Sequence, residues 1–182
     1  LRYKKHIYIL MNKPEGILSA STDKRVKTVI DILPENMKRA GLFPVGRLDK
    51  NSEGLLIMTN DGELANVLTH PSSHVNKTYR VTVGGTVTDE QIEKLTTGIM
   101  LDGRKTQPCD VFVVERKPDR TMLNFIIHEG RNRQVRKMFE AVNKKVLHLT
   151  RIRHGELTLS GLKKGQWRHL TQEEIEYLEN IK

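Results

Sequence analysis

Short apolar runs separated by turn signals set the tightest limit on what this chain folds into. Residues 42–47 and 55–59 read as a strand pair, and 77–83 alternates with Tyr79, Val81 and Val83 on one face. Residues 111–115 and 122–128 flank a Lys117-Pro118-Asp119-Arg120 turn, and 146–153 reads as a further strand. Helix signals are fewer. Residues 27–33 form a short apolar segment closed by Pro34. In 63–68, Leu64, Val67 and Leu68 stand at helical spacing, with Pro71 as the stop. Thr88 is a good N-cap for a helix that runs to Thr97 and ends at Gly98. Residues 131–142 form another helix, and Thr171 opens the last, with Glu173 and Glu174 favouring its positive end. Strands outnumber helices and hairpin-like turns join them. The expectation is an α+β fold: a mixed, mostly antiparallel sheet with flanking helices. With 182 residues the chain suits one domain, or two small subdomains sharing a core. The glycines between 84 and 103 mark the expected hinge.

Within that frame one carboxylate stands out. Gly46-Arg47-Leu48-Asp49-Lys50-Asn51-Ser52-Glu53-Gly54 places Asp49 in a glycine-bounded loop between two apolar runs. An Asp there lies beside a cation, Arg47 or Lys50, and close to sheet core, which can hold a carboxylate ionised and aimed. A turn-capping Asp is the plain alternative.

The net charge of +9 and pI near 9.7 point to a polyanionic partner. The excess is localised: residues 1–28 carry seven Lys/Arg against two acids, and residues 128–154 carry eight against two. A phosphate-tracking groove needs such localisation. A membrane surface would call for a basic helix with large apolar residues exposed opposite the charges, and here the apolar stripe reads as core. In 131–142, Val135, Met138, Phe139 and Val142 form that stripe. Arg133 and Lys137 lie opposite it, as a solvated face or as phosphate contacts. Arg136 falls at its margin, where a half-buried guanidinium needs an anionic partner. A loop carboxylate such as Asp49 would serve and would stay deprotonated. Arg131, nearly in line with the stripe, is the alternative partner.

Other chemistries lack their residues. The single cysteine, Cys109, allows no intrachain disulfide and indicates a reducing, cytoplasmic compartment. There is no phosphate loop, no GxGxxG, no CxxC, no zinc-type His spacing and no nucleophile-elbow serine. A carboxylate nucleophile or a carboxylate base remains.

Several motifs in order then resemble a known family. Gly46-Arg47-Leu48-Asp49 with Gly54-Leu55-Leu56, Lys77-Thr78-Tyr79, and Glu129-Gly130-Arg131-Asn132-Arg133-Gln134-Val135-Arg136-Lys137-Met138 are similar to pseudouridine synthases of the RsuA/RluB type. The opening Leu10 to Gly16 and the closing Gly155-Glu156-Leu157 and Gly165 to Thr171 extend the likeness nearly end to end. The resemblance implies the pseudouridine synthase fold and isomerisation of uridine in ribosomal RNA, 23S rather than 16S, with no metal or organic cofactor. It implies Asp49 as nucleophile, Tyr79 stacked on the uracil and helping to move a proton, and Arg136 paired with Asp49. Arg47 would fill the space of the flipped base. Lys77, Arg131, Asn132, Arg133, Gln134 and Lys137 would serve the RNA surface. A base inside a helix must leave the stack before side chains can reach it, so a filler and an aromatic platform fit that division of labour. The partner would be ribosomal RNA or an assembling subunit, and the chain a monomer. The family's small upstream RNA-binding domain is not part of the sequence. Two rival readings use the same surface: a non-catalytic RNA-binding module of ribosome assembly, and a hydrolytic RNA-processing enzyme with Asp49 as base.

Overall fold

The computed structural model describes residues 5–70, 73 and 75–181. In chain order its elements are β1 (Tyr8–Lys13), α1 (Glu35–Lys38), β2 (Phe43–Val45), β3 (Glu53–Thr59), α2 (Gly62–Thr69), β4 (Lys77–Gly84), α3 (Asp89–Thr97), β5 (Met100–Leu101), β6 (Arg104–Lys105), β7 (Asp110–Arg116), β8 (Arg120–Ile127), α4 (Gln134–Ala141), β9 (Val146–His154), β10 (Leu157–Thr158), β11 (Trp167–His169) and α5 (Gln172–Glu179). The chain divides at 73/74 and at 156/157 into two compact units. The expected hinge at 84–103 instead falls inside the second unit, where α3 and the β5–β6 hairpin occupy it.

The first unit combines the N-terminal stretch with residues from 157 onward. Its strands run in the order β11-β1-β3-β2, every neighbour antiparallel. Leu10, Leu55 and Ile57 pack with Leu64 and Leu68 of α2 and Leu178 of α5. The alternate residues Ile9, Met11, Leu56 and Met58 are as fully buried. Burial on both faces explains why β1 and β3 read as continuous apolar runs rather than clean alternations. Asp61 caps α2 by accepting from the Leu64 N–H at 3.1 Å, and α2 ends at Thr69; Pro71, the expected stop, lies outside the described residues. Thr171 and Glu174 form a capping box on α5. Glu174 also takes both prongs of the Arg168 guanidinium at 2.7 and 2.8 Å, and that fork holds its carboxyl down at about 2.

The second unit holds the antiparallel strand order β9-β4-β8-β7. Val81, Val83, Leu123 and Phe125 meet Leu95 of α3 and Val135, Met138 and Phe139 of α4, with the Phe125 and Phe139 rings 5.7 Å apart. Thr88 caps α3 as expected, and with Gln91 it completes a capping box.

Two expected helices differ. Residues 27–33 are turns, because the Asp31 carboxylate accepts from the Thr28 N–H at 2.8 Å and the Val29 N–H bonds back to Leu18 instead of up a helix. The helix expected over 131–142 begins only at Gln134, because Arg133 is left-handed with φ +51°.

The Arg168–Glu174 fork gives a stability test. A carboxyl depressed to about 2 from an ordinary 4.5 contributes stability above about pH 4.5 and loses it as pH falls toward 2. The Tm difference between wild type and Glu174→Gln should be full at neutral pH and shrink through that window. A difference independent of pH would refute the role of the charge.

Candidate functional site

Asp49 stands in the loop between β2 and β3, and that loop is fastened from beneath. Gly46 (φ +77°) and Gly54 (φ +115°) bound it in backbone conformations that side chains disfavour, so the chain leaves β2 and enters β3 sharply. The Lys13 side chain, fully buried at the end of β1, is the fastener. Its Nζ donates to the carbonyls of Ser52 at 2.8 Å, Asp49 at 3.1 Å, Pro14 at 3.1 Å and Lys50 at 3.4 Å. Three ammonium protons are thus shared among four oxygens. The Gly16 N–H also donates to the Lys50 carbonyl at 2.8 Å, and the Ser52 N–H to that of Asp49 at 3.0 Å. Ser19 holds the preceding residue: its hydroxyl donates to the Leu48 carbonyl at 2.7 Å and accepts from the Leu48 N–H at 3.0 Å. Leu48 is buried, Asp49 half-buried and Arg47 exposed, so the loop pins its middle and offers the side chains on either side. Burial pushes the Lys13 ammonium down to about 8, against the upward pull of the Asp49, Glu53 and Glu15 carboxylates.

The other expected residues lie in the second unit. Tyr79 is half-buried on β4 and stands opposite Phe125 on β8 and Arg151 on β9. The β4–β9 pairing shifts register between Thr78 and Tyr79, so Arg153 opposes Thr78 while Arg151 opposes Tyr79. Such irregularities re-aim side chains where an even ladder would not. Lys77 opposes His154, and its Nζ lies so close to Gly130 that a Cβ there would sit 3.2 Å from it. Burial and the Arg151 charge push the Lys77 ammonium down. Burial, Arg151 and Lys77 together push His154 down to about 3, so its ring is neutral at physiological pH. Neither ring nitrogen of His154 has a hydrogen-bond partner among the described residues.

The turn before α4 holds both exposed and buried residues. Asn132 and Arg133 are exposed. Gln134, expected at the RNA, is instead 4 % exposed: its Oε1 accepts from the Arg131 N–H at 3.1 Å and its Nε2 points at the Met138 sulfur. The Arg131 guanidinium is committed as well. It donates to the Leu101 carbonyl and, at 3.0 Å, to that of Arg104, tying the β5–β6 hairpin to the start of α4. Both side chains bond within this region of the fold. Lys137 is half-buried and meets Asp102 at 3.3 Å. Arg136 is 8 % exposed, deeper than the margin position its spacing indicates, which sharpens its need for an anion.

The chain matches the model of the RNA pseudouridylate synthase family over residues 7–141. It is 41 % identical over 178 residues to an uncharacterized RNA pseudouridine synthase, YtzG, of Bacillus subtilis (strain 168), covering 97 % of this chain and 74 % of that one. It is 40 % identical over 174 residues to ribosomal large subunit pseudouridine synthase B of the same organism, covering 94 % and 71 %. A crystal structure of a pseudouridylate synthase superposes with a TM-score of 0.87 at 33 % identity, over 97 % of this chain and 75 % of that one. The chain belongs to the RNA pseudouridylate synthase family. The reaction is therefore isomerisation of uridine in RNA, and the fold is that of the pseudouridylate synthases. Lys13, Ser19, Arg151 and His154 are functional candidates that residue patterns did not single out. For Lys13 the signal was present, as a lysine closing an apolar strand, and only the structure reveals the carbonyls that it gathers.

Lys13→Met leaves those carbonyls without their donor. It should cost about 3 kcal/mol, ~6–12 °C in Tm, and lower turnover at least tenfold. The ammonium form is lost as pH rises through about 8, whereas the unfolded chain keeps that proton to about 10.5. Over this window the cost of burying that charge is progressively relieved and stability rises with pH, because the unfolded state binds more protons. Turnover should therefore fall on the alkaline side near pH 8 without a matching fall in Tm. A flat kcat profile to pH 10 would refute the cradle's role.

Proposed function

We propose that this protein is a ribosomal RNA pseudouridine synthase of the large subunit, using Asp49 as its nucleophile. The observation that carries the reading is the Asp49 loop, whose main chain is fastened at Leu48, Asp49, Lys50 and Ser52 while its carboxylate stays half-exposed. A turn-capping Asp needs no buried ammonium beneath it; a group that must meet one atom of a substrate gains from having its backbone held. The 40 % identity to a protein named ribosomal large subunit pseudouridine synthase B supports 23S over 16S RNA as the substrate.

In this reading the target uridine leaves its stack and Arg47, exposed two residues before the nucleophile, takes its place. Asp49 attacks at ribose C1′ or at uracil C6. The bond from C1′ to uracil N1 breaks, the base turns, C1′ bonds to C5, and Asp49's own bond to the substrate breaks to return the free carboxylate. The C5 proton leaves and N1 regains one, so the product is an isomer. Tyr79 stacks on the uracil and helps that proton move. Arg136 is the third catalytic residue of this reading. Lys77, Asn132, Arg133 and Lys137 meet RNA, while Arg131 and Gln134 shape the turn that presents them. The protein works as a cytoplasmic monomer on ribosomal RNA or an assembling subunit.

The test is tritium release from ribosomal transcripts carrying 5-tritiated uridine. Wild type should release tritium from a large-subunit transcript and leave the strand intact. Asp49→Asn should lower release at least 10³-fold while RNA affinity stays within about threefold. Release that survives Asp49→Asn would overturn the nucleophile, strand scission would favour hydrolysis, and binding without release from any transcript would favour a non-catalytic module.

A further inference from the structure

The first unit carries a second basic surface that the uridine-modifying chemistry above does not use. Residues 18–28 leave the core as an arm and return to it. Its base is built in: Ile17, Thr28 and Val29 are buried, the Leu18 N–H donates to the Lys27 carbonyl at 2.9 Å, and the Val29 N–H donates to the Leu18 carbonyl at 3.0 Å. Its tip is the opposite. Residues 21–25 are all exposed, and the Asp23 carboxylate spends itself on the tip's own turn, accepting from the Arg25 N–H at 2.8 Å and the Val26 N–H at 2.9 Å. Those bonds hold the Asp23 carboxyl below its usual range. Lys24, Arg25 and Lys27 are exposed, and among the described residues no side chain or carbonyl pairs with their charged groups.

An exposed, pre-shaped turn bearing three unpaired cations suits a polyphosphate backbone. The arm is also mechanically joined to the chemistry. Ser19, at its root, binds both the N–H and the carbonyl of Leu48, the residue before Asp49. A hydroxyl that takes both main-chain polar groups of one residue holds the two peptide units that flank it. Leu48 is buried, so water does not readily replace those bonds.

We propose that residues 19–28 are an RNA-phosphate-binding arm, with Lys24, Arg25 and Lys27 as its contacts and Ser19 as a positioning residue that couples the arm to the Asp49 loop. The coupling rests on the reading of Asp49 as nucleophile; the phosphate contacts do not. RNA held on the tip settles the arm, and the Ser19 strap passes that order to the nucleophile's backbone. Specificity for a particular uridine then includes the backbone path of flanking nucleotides, read without touching their bases.

Two measurements on the full chain test this. The first is the salt dependence of binding to a large-subunit rRNA transcript. Changing Lys24, Arg25 and Lys27 together to Ala should weaken binding at least tenfold and reduce the slope of log K against log salt by about two units. An unchanged slope overturns the arm as a phosphate site. The second is single-turnover tritium release with Ser19→Ala and Ser19→Thr. Ser19→Ala should lower the rate at saturating RNA at least tenfold with Kd within twofold of wild type, and Ser19→Thr, which keeps the hydroxyl, should restore most of it. A Ser19→Ala rate within twofold of wild type overturns the coupling. An equal loss in Ser19→Thr reduces Ser19 to packing and overturns it as well. If Ser19→Ala does not fold, the Thr variant and the salt slope still decide. A wild-type protein that binds RNA without releasing tritium would instead sink the catalytic reading and the coupling with it, leaving the slope to judge the arm.

Discussion

A single buried ammonium carries the most consequence in this molecule. Taking a lysine out of water costs several kcal/mol unless its protons find acceptors. Lys13 finds four, and three of them belong to the loop that bears Asp49. The loop carbonyls of Asp49 and Lys50 also accept from the Ser52 and Gly16 N–H groups, so the ammonium adds to main-chain bonds already made. A neutral donor could satisfy one or two of them. An ammonium reaches several and adds charge. The depressed value of Lys13, about 8, is what remains after burial has outweighed the pull of the nearby carboxylates.

The same logic sorts the other cations. A net charge of +9 suggests a surface ready for RNA, but much of the positive charge is committed within the fold. Lys13 braces a loop, Arg131 ties a hairpin, Arg168 locks Glu174, and Arg80 donates to the Asn124 carbonyl oxygen at 2.6 Å. Other cations stay exposed, among them Lys24, Arg25 and Lys27 of the 19–28 arm, within the first basic block of the sequence.

Legibility in the sequence followed the range of the forces involved. Thr88 and Thr171 were readable as helix starts because a capping box is a contact between residues three apart. The β7–β8 hairpin was readable because its turn residues lie between its strands. Residues 27–33 carried a helical stripe but are turns, because Asp31 and Leu18 compete locally for the backbone donors. The late start of α4 came from one residue, Arg133, whose left-handed conformation no periodicity announces. At the site, Asp49 was legible as a carboxylate in a glycine-bounded loop. Lys13 and Ser19 were not, since their partners lie 36 and 29 residues away in the chain.

That pattern bears on why the arrangement is built this way. Were Asp49 held by its own loop residues alone, its position would depend on a short segment of weak local bonds. Instead the backbone around it is pinned by β1 through Lys13, by the turn after β1 through Gly16, and by the arm through Ser19. Three supports from one continuous stretch of chain, residues 13–19, converge on residues 48–52. A displacement of that stretch strains several hydrogen bonds to the loop at once. The Asp49 loop is thus tied to β1 as well as to the arm. In the reading proposed above, a ligand that orders the arm acts on that loop through the same few bonds.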